Sequence, residues 1–139
     1  MIVLAGLTVG CSSPGAKRKA TTVDTPSGQP EIIIQSARLE HIQAAAREFF
    51  AGRGYVESAS RHAYELVFDR RIEDSKKPQA LRIRLRAAPI DSTSWRLAGI
   101  SLRVEDWRGD LASESVVPYG FAQVQEFLEA IKLQVEFEK

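Results

Sequence analysis

The sequence predicts an α+β fold with the element order β-α-β-β-β-β-α, and three observations carry that expectation. Residues Leu39–Phe50 and Phe121–Val135 repeat apolar side chains at three- and four-residue spacing, the period of one helix face. Between them, Leu81, Ile83, Leu85 and Ala87 alternate with Arg82, Arg84 and Arg86, the period of a half-buried strand. Each expected strand has one apolar face, so a single antiparallel sheet should carry both helices on the same side.

Taken in order, Glu31–Gln35 (EIIIQ) follows Pro30 and is β-branched, which favours a first strand. Ser36 is placed to cap the helix after it. That helix turns Leu39, Ile42, Ala46, Phe49 and Phe50 inward, and Gly52 and Gly54 end it, since glycine accepts a left-handed cap. Tyr55–Glu57 starts the next strand. Tyr64, Leu66 and Phe68 then alternate with Glu65, Val67 and Asp69. The polar stretch Glu73–Gln79 turns the chain into the arginine strand, and Pro89–Thr93 turns it again. In the last strand Trp95 and Leu97 have the opposite parity to Ile100, Leu102 and Val104. A β-bulge at Gly99 would return both sets to the core. Asp106–Val117 reads as an irregular connection before the final helix. The expected core is Phe49, Phe50, Leu66, Phe68, Ile83, Leu85, Ile100, Leu102, Phe127 and Ile131.

The 139 residues divide by composition into three parts. Residues 1–11 are uncharged and end at Cys11, the sole cysteine, which excludes an internal disulfide and a cysteine-built zinc site. Residues 12–30 are rich in Ser, Thr, Pro and Gly without apolar period, the composition of a flexible tether. Residues 31–139 are the expected domain. With 19 Lys and Arg against 18 Asp and Glu, the net charge of +1 excludes a globally basic nucleic-acid binder.

The segment Leu7-Thr8-Val9-Gly10-Cys11-Ser12 resembles the lipobox of bacterial lipoproteins: an apolar run, a small residue, then a cysteine. That resemblance implies a mature chain starting at Cys11, a lipid on its thiol and attachment to a membrane. Ser12, where some lipoproteins carry Asp, implies the outer membrane, with the domain facing the periplasm. No Lys or Arg precedes Lys17, so the full signal is expected to begin upstream of Met1. The alternative is a buried strand over Ile2–Val9 with Cys11 as an ordinary core residue. By element order alone, the domain resembles helix-grip and TATA-binding-protein-like folds. Lipoprotein subunits of the outer-membrane β-barrel assembly machinery carry small domains of this kind, which implies an envelope protein as partner.

No catalytic constellation is visible. His41 and His62 lie far apart with no metal-ligand spacing. Ser58 and Ser60 are not in a G-x-S-x-G turn, and Gly52-Arg53-Gly54 follows a helix instead of opening one. Asp69, Glu73 and Asp74 show no opposed pair. The expectation is a non-enzymatic protein with no metal and no cofactor. Arg82, Arg84 and Arg86 are the surface pattern to weigh, joined by Arg96 or Arg103 from the next strand. They form either an open face for an anionic partner or cross-strand ion pairs, Arg86 with Glu65 and Arg82 with Asp69. Trp95, Trp107 and Tyr119 could rim a surface or fill the core.

Two functions follow, with a hydrolase accessory or inhibitor domain as a weaker third. One is a structural or assembly component of the cell envelope, the other a binding module for an anionic or lipidic ligand. A filled space between sheet and helices would favour the first, and an open apolar cavity of about 300 Å³ or more the second.

Overall fold

The computed structural model describes residues 23–73, 78–105 and 112–137, so Cys11, Asp74 and Trp107 lie outside the described residues. The fold is α+β: one open antiparallel sheet of six strands carries two helices on one face. The elements are β1 (Glu31–Ile34), α1 (Leu39–Ala51), β2 (Val56–Ser58), β3 (Glu65–Arg71), β4 (Gln79–Pro89), β5 (Trp95–Glu105), β6 (Ser113–Val116) and α2 (Phe121–Phe137). The strands run β2-β3-β4-β5, and β1 and β6 share the far edge of β5, β1 along Trp95–Ala98 and β6 along Leu102–Glu105. Strand β6 falls inside the stretch expected to be irregular. Four residues are too few to declare a period of two.

Both helices form as the apolar spacing requires. From α1, Ile42, Ala45, Ala46 and Phe50 are buried; from α2, Phe121, Val124, Leu128, Ile131 and Val135. Phe50 stacks on Phe68 of β3 with ring centroids 4.6 Å apart, and it meets Phe127 and Tyr55 edge to face. The fold ties the start of β1 to α2 through Gln125. Its Oε1 accepts from Glu31 N at 2.9 Å and its Nε2 donates to Glu31 O at 3.0 Å.

Several local expectations are corrected. Ser36 does not cap α1; it takes the left-handed region at φ 56°, and Arg38 occupies the N-cap in extended conformation without a side-chain bond. Of the two glycines after α1, it is Gly54 that uses the left-handed region, at φ 84°. The residues just before Glu31 also pack on the fold. Val23–Gln29 forms a hydrogen-bonded turn, Pro30 is fully buried, and its carbonyl accepts from Gly99 N at 3.1 Å.

The bulge at Gly99 is absent. The ladder between β4 and β5 runs unbroken from Gln79↔Glu105 to Pro89↔Trp95, with Leu85 opposite Gly99. Leu97, Gly99, Ser101 and Arg103 therefore face the helices, beside Ala87, Leu85, Ile83 and Leu81. Ile100, Leu102 and Val104 face the other way, on the arginine side. Gly99 is needed because α2 passes close. A Cβ there would stand 2.9 Å from Val124 Cγ1 and 3.1 Å from Leu85 Cδ2. Ile100 and Leu102 accordingly leave the helix-side core.

Candidate functional site

The arginine row is a closed ladder of alternating charge. In the register, Arg86 lies opposite Glu65 and Arg82 opposite Asp69, as the cross-strand alternative requires. Arg82 grips Asp69 with two bonds, Nε to Oδ1 at 2.7 Å and Nη2 to Oδ2 at 2.9 Å. Ser58 Oγ donates to the same carboxylate at 2.7 Å. Arg84 Nη1 reaches Glu65 Oε1 at 3.3 Å, Arg86 Nη2 reaches Glu65 Oε2 at 3.1 Å, and Ser60 Oγ donates to Glu65 Oε1 at 2.7 Å. Glu114 of β6 joins Arg82 to Arg84. Leu102 and Val104 lie between Arg82 and Glu114 in the register, and both are buried.

Three arginines thus meet three carboxylates, and the charges of the ladder balance. Glu65 and Asp69, which alternation would put in solvent, are buried to 6% and 2% residual exposure. Burial pushes the Glu65 carboxyl up, but the Ser60 and Arg86 hydrogen bonds and the charges of Arg84 and Arg86 outweigh it and hold it below the usual range. Glu114 is lowered by its hydrogen bond from Arg84, against burial, with help from Arg82. Arg82 is raised, first by its bond with Asp69. A polar cleft of about 350 Å³ opens beside Ser60, Arg61 and His62. Its wall contains Glu65, which already takes the bonds of Arg84 and Arg86.

A second feature lies on the helix side. A cavity of about 320 Å³ opens between the sheet and the start of α2. Leu81 and Ile83 of β4 form its floor with Ser101 and Arg103 of β5, and Val124 of α2 and Tyr119 lie above. The wall at Val117–Gly120 is pinned to β5: Val117 N donates to Ser101 O at 2.9 Å, and Ser101 Oγ donates to Val117 O at 2.8 Å. Tyr55 also lines the space. Burial pushes its phenol up against the opposing charges of Arg70 and Arg53, so it stays neutral. Under α1, by contrast, the sheet is filled, with residual space of about 10 Å³ beside Ile42 and Ala46.

Arg103 does not join the arginine face. Unbroken pairing with Leu81 turns it toward the helices, and its buried Nε has no hydrogen-bond partner among the described residues. The sequence does not show this, because the expected bulge assigned Arg103 the wrong face. Arg96 does lie on the arginine side, where it pairs with Glu31 at 3.2 Å. Glu114 could not be placed before β6 was known. Trp95 packs edge to face on Tyr64, and His41 and His62 are exposed. Among the described residues no group of three His, Cys, Asp or Glu could hold a metal, and no helix is long and apolar enough to cross a membrane.

No family model and no curated protein matches the chain. Among solved structures it is similar to the adenylate sensor from AMP-activated protein kinase, solved in complex with 5-aminoimidazole-4-carboxamide 1-beta-D-ribofuranotide. That likeness has 13% identity and a TM-score of 0.48, over 73% of this chain and 94% of the other. It is also similar to the uncharacterized conserved protein YugN from Geobacillus kaustophilus HTA426, with 17% identity and a TM-score of 0.37, over 76% of this chain and 87% of the other.

Proposed function

We propose that the domain is a non-enzymatic binding module for a small anionic or lipidic ligand, held at a membrane by a lipid on Cys11. The observation that carries the binding half is the cavity between the sheet and α2. At about 320 Å³ it falls within the range of small-molecule sites, and its walls combine aliphatic side chains with a few polar groups. A purely structural or assembly component would have a filled interior there. The lipobox-like segment supports the anchor, with the outer membrane and a periplasmic domain as its implied destination.

The two halves are tested separately. Titrating the full, non-acylated chain with 1-octanol should shift backbone amide resonances of Ile83, Ser101, Gly120 and Val124 while leaving α1 unmoved. Absence of such shifts at millimolar octanol and octanoate would end the binding proposal. For the anchor, Cys11→Ala should move the protein out of the membrane fraction and change its electrophoretic mobility. A variant that stays membrane-bound with unchanged mobility would end the lipoprotein proposal.

A further inference from the structure

We infer that Arg103 is the anion anchor of this cavity and that its ligand is a small monocarboxylate with an apolar body. The inference rests on the binding proposal and specifies the ligand's chemistry. Each arginine of the β4 row is paired with a protein carboxylate. Arg82 also borders the cavity, but its guanidinium is held on the opposite face by Asp69 and Glu114. Arg103 alone offers the cavity a guanidinium without an ion pair among the described residues. Among the described residues no Asp or Glu lines the space.

A guanidinium is a cation with five N–H donors and no acceptor, so it is suited to binding an anion. Nε is buried, so the two Nη atoms are the donors left for the cavity, and their end-on fork matches the two oxygens of a carboxylate. The rest of the lining sets the remaining chemistry. Leu81, Ile83 and Val124 offer an apolar surface to the body of the ligand, and Tyr119 and Gln123 add polar atoms at the rim. At the roughly 30 Å³ that a water-sized group occupies in a liquid, the space takes about ten non-hydrogen atoms. A medium-chain acid such as octanoate matches that size.

The experiment is calorimetric and NMR titration of the full, non-acylated chain with octanoate and with 1-octanol, repeated for Arg103→Gln and Arg103→Lys. Octanoate should bind wild-type protein roughly ten- to a hundredfold more tightly than octanol, the range of a charge-assisted hydrogen-bonded pair. Arg103→Gln should reduce octanoate to the octanol level without changing octanol affinity, which also shows that the variant is folded. Arg103→Lys, which keeps the charge and loses the fork, should fall between. If octanol binds wild type as tightly as octanoate, or if Arg103→Gln binds octanoate as wild type does, the anchor is wrong and the binding module stands. If neither ligand binds, the module itself is wrong.

Discussion

Asp69 is the side chain most tightly committed to the fold among the charged residues described. It is 2% exposed, accepts two bonds from Arg82 and one from Ser58, and sits on a strand whose five residues Glu65–Asp69 are all buried. Removing one partner of a buried pair strands the other charge, so Asp69→Ala should cost about 3–5 kcal/mol. Arg86 is 61% exposed in its side chain, and Arg86→Gln should cost about 1 kcal/mol or less. Urea denaturation of the two variants checks the ranking, and equal losses would show that burial does not set the strength of this ladder. On the other face, Phe68→Ala removes the ring stacked under Phe50 and should cost about 3–5 kcal/mol. Gly99→Ala should destabilise by about 1–3 kcal/mol, because Val124 is stiff at the contact and α2 has to move outward.

At the scale of elements, the ladder joins β6 to β3 across two strands. Neutralising Arg82, Arg84 and Arg86 together would leave Asp69 and Glu65 as buried, unpaired charges. The triple Arg→Gln variant should therefore lose several kcal/mol, well beyond the small loss of three solvated pairs. The same geometry sets a pH dependence. Glu65 and Glu114 lie below their ordinary value of 4.5 in the folded state. As pH falls below about 5, the unfolded chain binds protons that the folded ladder refuses. Stability present at neutral pH is then lost progressively until the folded carboxyls also protonate. The urea midpoint should fall between pH 5 and pH 3, and less steeply in Glu114→Gln. An unchanged slope in that variant would remove Glu114 from the ladder's energetics.

For the molecule as a whole, the residues just before Glu31 make contacts that a tether would lack. Pro30 is buried and bonded to Gly99, and Ser27 N donates to Glu31 Oε2 at 3.0 Å. Deleting residues 12–30 should lower the melting temperature by several degrees, at about 4–8 °C per kcal/mol for a domain near 100 residues. A deletion ending at Thr22 keeps Pro30 and the turn before it, and should lower it less. Calorimetry on the two deletions decides where the domain starts, and equal melting temperatures would return the boundary to Glu31.

The sequence by itself determined the α+β class, the inward faces of α1 and α2, and the strand that carries Arg82, Arg84 and Arg86. A helix of more than ten residues repeats its period often enough to name its buried stripe, and β4 alternates over a long run. Cross-strand pairing of Arg86 with Glu65 and Arg82 with Asp69 was also legible, since a hairpin fixes its own register. Tertiary structure alone decided that β5 runs without a bulge, that Leu102 and Val104 are buried on the arginine side, and that Arg103 turns toward α2. It also decided that β6 brings Glu114 to Arg82 and Arg84, and that the space beside Arg103 stays open. The reason is physical. Alternation tells which side chains share a face but not what covers that face, and a strand covered on both sides loses its contrast. Cover, register and cavity arise only where segments distant in the chain meet.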